Sequence, residues 1–179
     1  MKALLYFLLA TGTAAALLPA PAVAAAAHQH GVARLDVAVE ATRVTLYLDT
    51  PLDNLLGFER APRTDAERQQ ADAAVARLRA ADQLFRIDGN AGCTLAKVTL
   101  TSAALGLAPA GTAAPKDDHA DLEGRFEFTC KAGARAGFVE VSLFDAFAQL
   151  KRVELQLISP KGQMKATLTR PATRVALVR

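Results

Sequence analysis

Val32-Ala33-Arg34-Leu35-Asp36-Val37-Ala38-Val39-Glu40 decides the fold class, because its apolar residues recur at every second position. Ala33, Leu35, Val37 and Val39 fall on one side of an extended chain and Arg34, Asp36 and Glu40 on the other, as in a strand with one buried face. Val44, Leu46 and Leu48 repeat the pattern after a short link at Ala41-Thr42, which predicts a hairpin. Further along, Leu122, Gly124, Phe126, Phe128 and Cys130 share one parity, and Asp121, Glu123, Arg125 and Glu127 the other. Strands are also predicted at Cys93 to Leu100, Phe138 to Phe144, Arg152 to Ile158 and Gln163 to Thr169, the last two joined by a turn at Ser159-Pro160-Lys161-Gly162.

One segment departs from this period. Thr64-Asp65-Ala66-Glu67 matches a capping box, and Ala71, Ala74, Val75, Leu78 and Phe85 follow at helical spacing, which predicts one substantial helix over about residues 65–84. Before it, Thr50 to Phe58 reads as a compact apolar turn or short helix ended by Gly57. Core packing is the simplest use of Leu55, Leu56 and Phe58, which would otherwise leave an apolar patch in water. The sum is an α+β domain, mainly antiparallel sheet that can close into a sandwich, carrying one helix.

The first 27 residues have a different character. Lys2 supplies a positive start, and Leu4 to Leu9 with Ala14 to Leu18 supply an apolar run too broken for a membrane anchor. Small residues then fill positions 22–27, which predicts a signal peptide cleaved between 24 and 27 and an exported mature protein. Residues 28–179 are long enough for a single domain with one sizeable core, and no later stretch approaches the length of a membrane span. In an exported chain, Cys93 and Cys130 read first as a disulfide, worth roughly 3 to 4 kcal/mol on the chain-entropy model. A thiolate metal pair is the rival reading, and an oxidising compartment disfavours it.

The formal charge of +3 comes from interleaved acids and bases, with no basic stripe and no aromatic interleaving for nucleic acid. Catalytic signatures are also missing: the serines have no Gly-x-Ser-x-Gly context, and neither His-Glu-x-x-His nor a phosphate-binding glycine loop occurs. A binding protein is expected, not an enzyme.

Three histidines remain. His28 and His30 form a His-x-His at the expected mature start, and His119 stands in Asp117-Asp118-His119-Ala120-Asp121. If the first strand begins early enough, both imidazoles share the parity of its polar residues. His28, His30 and His119 with Asp121 would make a nitrogen and oxygen set suited to zinc, provided that they converge; Asp118 is the substitute carboxylate. Solvated side chains are the plain alternative. Cleavage after Ala25 or Ala27 would also put a histidine third in the mature chain, a position that favours square-planar Cu(II) or Ni(II).

Three stretches together resemble a known family. They are His28-x-His30-Gly31-x-Ala33-x-Leu35-x-Val37, then Pro51-Leu52-Asp53-Asn54-Leu55-Leu56-Gly57-Phe58-Glu59 with Ala61-Pro62, and His119-Ala120-Asp121 ahead of Phe126-x-Phe128-x-Cys130. The chain is similar along its mature length to the ZrgA-type periplasmic zinc-binding proteins, with Leu143-Phe144 and Gly162-Gln163 extending the match. The resemblance implies an accessory protein that binds zinc and assists its acquisition together with an envelope uptake system, through His28, His30, His119 and Asp121. One departure limits the expectation. Where many members carry a histidine-rich stretch, this chain has Ala108 to Asp118 without a histidine, so at most one compact site is expected and no reservoir. The competing class is an exported, disulfide-stapled interaction module that holds no metal.

Overall fold

The structure, a computed structural model, describes residues 29–107 and 120–177. The expected signal segment, His28, most of the Ala/Pro/Gly-rich loop and His119 lie outside the described residues.

Alternating burial builds a six-stranded sheet. Strands β1 (Val32–Val39) and β2 (Arg43–Pro51) pair antiparallel as a hairpin, closed where Glu40 donates its amide to the Arg43 carbonyl at 2.8 Å. On one flank β2 pairs with β5 (Asp121–Cys130), and β5 with β4 (Cys93–Thr101), both antiparallel. On the other, β1 runs parallel to β7 (Arg152–Ser159), which turns back into β8 (Gly162–Thr169). A separate three-stranded sheet joins β3 (Phe85–Ile87), β6 (Phe138–Val141) and β9 (Arg174–Ala176), with β6 in the middle. The α+β, sandwich-like, mainly antiparallel architecture is as the periodicity predicts. The parallel β1–β7 pair is its one exception within the large sheet.

The inner face of the large sheet is the apolar parity of each strand. Leu35, Leu46, Leu122, Phe126, Val153 and Leu155 are all essentially inaccessible to solvent. They form one core with Ala71, Ala74 and Leu78 of α2 (Asp65–Arg79) and with Val139, Val141 and Val175 of the small sheet. Phe85 joins the layers directly, its ring centroid 4.9 Å from that of Phe126. Burying each large side chain of this kind stabilises by roughly 1.5 to 3 kcal/mol.

The helix begins as its capping box predicts: the Thr64 side chain accepts the Glu67 amide, and basic Arg77 and Arg79 occupy the last turn. It is shorter than the 65–84 expected. Ala80 leaves helical geometry at φ −85° and ψ 51°, a separate turn α3 (Ala81–Leu84) follows, and Phe85 begins β3. At the end of an apolar stripe, helical spacing cannot separate a last helical residue from the first residue of an inward-facing strand. Likewise β6 stops at Val141, and Leu143–Ala146 forms the short helix α4, so the strand expected to Phe144 is half as long. In β4 a bulge falls between Leu95 and Lys97, which lets Leu95 oppose Phe128 and Val98 oppose Phe126 despite their opposite parity.

Cys93 and Cys130 are bonded to each other, 37 residues apart, at directly paired positions of β4 and β5. The thiolate metal pair is thereby excluded for both. Replacing both cysteines by serine should lower stability by about 3 to 4 kcal/mol through the freed denatured chain. Denaturant unfolding of the two proteins in non-reducing buffer measures the difference.

Candidate metal centre

His30 is placed by a turn, not by a strand. Gly31 adopts φ 79°, a left-handed conformation that costs glycine little, and the Val32 amide donates to the Gln29 carbonyl at 3.1 Å. Strand β1 therefore starts only at Val32, and the expectation that His30 continues its polar parity is corrected. The turn is held from the other side too, since the Gly31 carbonyl accepts the amides of Lys151 and Arg152 at 2.8 and 2.9 Å.

The same turn is fastened to the segment Leu52 to Gly57 by Asn54. This side chain is completely buried at the second position of the short helix α1 (Asp53–Leu56). Its Oδ1 accepts the Gly31 amide at 2.5 Å, while its Nδ2 donates to the Val32 carbonyl at 2.8 Å and to Thr50 Oγ1 at 2.9 Å. All three partners are backbone or buried polar groups that would otherwise lack water. Helix α1 ends at Gly57, φ 77°, whose amide closes on the Asp53 carbonyl at 2.8 Å. Leu52 and Leu56 are buried, and Leu55 and Phe58 pack partly against the core, so this apolar segment is used internally.

Asn54 thereby brings two carboxylates to one imidazole. Nδ1 of His30 lies 3.0 Å from Asp53 Oδ2, and Nε2 lies 3.4 Å from Glu59 Oε1. The ring is two-thirds exposed, whereas the Asp53 and Glu59 side chains are 24% and 16% exposed, so the acids form the wall and the histidine the solvent-facing side. Glu59 is positioned by its neighbour. Arg60 makes a two-pronged bond to Glu67 at 2.7 and 2.8 Å and stacks over Phe58, with its guanidinium carbon 4.9 Å from the ring centroid. Gln70 adds a bond to the Leu56 carbonyl at 2.8 Å, tying the loop to α2.

The expected ligands divide. His28 and His119 lie outside the described residues, and the third-position histidine of a copper or nickel site is His28 or the described His30 according to where cleavage falls. Asp121 opens β5 opposite Pro51, and the adjoining Ala120 carbonyl accepts the Leu52 amide at 2.8 Å. The chain just after His119 is thus docked one residue from Asp53. Among the described residues no three histidine, cysteine or acidic side chains converge as a complete cation site. Asp53 and Glu59 are not among the expected ligands, although both stand in the Pro51 to Glu59 segment that carries the family resemblance. Six residues apart, they face one ring only because α1 and its left-handed glycine reverse the chain between them.

Residues 27–177 match the model of the family described as ZrgA family zinc uptake protein. The chain belongs to that family. A comparison with curated proteins finds no match.

Two measurements follow from the clamp and its buttress. Truncating Asn54 to alanine removes the partner of the Gly31 amide and the bonds donated to the Val32 carbonyl and to the Thr50 hydroxyl, which keeps its own 3.4 Å bond to the Pro51 carbonyl, and should cost about 2 to 4 kcal/mol, at roughly 1 kcal/mol for each bond lost; thermal unfolding measures it. Glu67 is held at about 2, well below its ordinary 4.5, first by the Arg60 side-chain bond and then by the Arg63 amide. A carboxylate depressed on folding contributes stability at pH values above its unfolded pKa and loses it as pH falls through its folded pKa. Glu67→Gln should therefore melt below the wild type at neutral pH, with the gap closing between about pH 4.5 and pH 2, as melting curves across that range will show.

Proposed function

We propose that this member of a zinc uptake family is an exported, periplasmic accessory protein that binds about one zinc ion around His30 and supports an envelope uptake system. The observation that carries the reading is a single imidazole bracketed by two carboxylates on a turn fastened by a buried asparagine. An incidental surface histidine needs no such support. His30, His28, His119 and Asp121 are the residues proposed to meet the ion, and the docking of Ala120 beside Leu52 supports the inclusion of the second segment.

Other features agree with the proposed location. The Cys93–Cys130 disulfide suits an oxidising compartment, and among the described residues no helix is long and apolar enough to cross a membrane. The histidine-free stretch from Ala108 to Asp118 favours one ion over a reservoir. Binding, and not catalysis, is the proposed role. Buried Leu52 and Leu56 weaken the competing reading of a metal-free interaction module built on that segment.

Calorimetric titration of the signal-free protein with zinc tests the reading. About one ion per chain is expected, and zinc at 100 times its dissociation constant should stabilise the fold by about 2.7 kcal/mol. His30→Ala and His119→Ala should each weaken binding. No heat of binding, with identical melting temperatures in zinc and in chelator, excludes zinc and restores the interaction module.

A further inference from the structure

The six-stranded sheet ends in β8, and among the described residues that end is open. The strand order places β8 outermost, paired to β7 alone, so one side of its backbone has no strand beside it. Every other sheet edge carries a guard. β4 is interrupted by its bulge and continues into a bridge between Ser102 and Leu107, and β3 and β9 are each three residues long. β8 has no such protection. Its register to β7 runs unbroken from Thr169 opposite Arg152 to Gly162 opposite Ser159, it contains no proline, and its core-facing residues Met164, Ala166 and Leu168 are all apolar. Lys165, on the outer face, is its single charge. An edge of this kind is a template for pairing with another chain.

We infer that a second copy of this chain occupies the edge, β8 against β8 and antiparallel about a two-fold axis at Ala166, which joins two large sheets into one. A two-fold pairing brings the strand to itself, so its register is read from the strand's own residues. Centred on Ala166, Met164 meets the second copy's Leu168, Gln163 its Thr169 and Lys165 its Thr167, and the apolar parity stays on the inner face of both copies. Centring on Lys165 sets two lysines directly opposite, which is destabilising. Centring on Thr167 leaves only Lys165 to Thr169 paired. Charge favours the Ala166 register further. On the outer face each Lys165 looks across the short Thr167 of the second copy to that copy's Glu154, which stands opposite Thr167 on β7. Two strand spacings, about 9.6 Å, lie within the summed reach of a lysine and a glutamate. Among the described residues Lys165 makes no ion pair in its own chain, and Glu154 is half exposed beside Arg152. The two-fold axis makes this contact twice, and such self-matching of charge and apolar side chains selects a second copy over an unrelated strand.

The test is sedimentation of the signal-free protein across a dilution series, with chelator present so that no metal bridges two copies. The wild type should pass from monomer to dimer as concentration rises. Lys165→Glu and Glu154→Lys should each weaken association about 10-fold, as two symmetric contacts turn from attractive to repulsive, and the double reversal should restore it. Ala166→Cys should crosslink to its own counterpart on mild oxidation, because directly opposed Cα atoms lie about 4.5 to 5.5 Å apart, within disulfide range. Gln163→Cys, displaced along the strand from its counterpart, should not. A wild type that stays monomeric up to about 1 mM, a double reversal that associates no better than the single ones, or crosslinking at Gln163→Cys and not at Ala166→Cys would overturn the pairing. Each of these results is independent of zinc binding.

Discussion

The amide of Asn54 is the constraint on which the candidate site depends. It is a polar group in a fully buried place, and it remains there only because each of its atoms has a partner from a different part of the chain: the turn before β1, the first residue of that strand, and the end of β2. A buried polar network of this kind tolerates few alternative geometries, since any shift leaves a group unsatisfied in a low-dielectric interior. The position of His30 relative to Asp53 is therefore inherited from the core. It is not set by the exposed residues themselves.

The two sheets supply the rigidity behind that clamp. The turn carrying His30 is gripped on one side by α1 and on the other by the amides that lead into β7, so the parallel β1–β7 pair reaches directly to the site. Asp121 enters from a third direction on β5, antiparallel to the same end of β2 that holds Thr50. Four strand ends, the starts of β1, β5 and β7 and the end of β2, and one short helix thus converge within a few residues of His30. A site at such a junction can present groups from distant parts of the sequence while each remains anchored in ordinary backbone pairing. The loop from Glu59 to Arg63 has no strand to hold it, and charge does that work through Arg60 and Glu67.

Much of this was legible in order of increasing range. The alternation in Val32 to Val39 and Leu122 to Cys130 placed both strands within a residue or two, because burial on one face imposes a period of two directly on the sequence. Thr64 to Glu67 marked the start of the helix through a local exchange of hydrogen bonds. Its end was not marked so clearly, since Phe85 suits either the helical stripe or the inward face of β3. The bulge near Ala96 hid the true pairing of Leu95 and Val98, which depends on the partner strand. At the site, His30 was legible and its environment was not: strand parity pointed to Asp121, while the turn at Gly31 faced the ring toward Asp53 and Glu59.

The sequence by itself determined the sheet-forming periods, the capped helix, the disulfide pair, the absence of histidine from Ala108 to Asp118, and a family resemblance that the match over residues 27–177 confirms. Each is local in the chain or follows from composition and spacing. Tertiary structure alone decided that β1 and β7 run parallel, that Phe85 meets Phe126, and that Asp53 and Glu59 flank one imidazole. Those relations join residues whose separation along the chain carries no period. They arise where buried groups, Asn54 above all, find their only available hydrogen-bond partners after the apolar faces have closed.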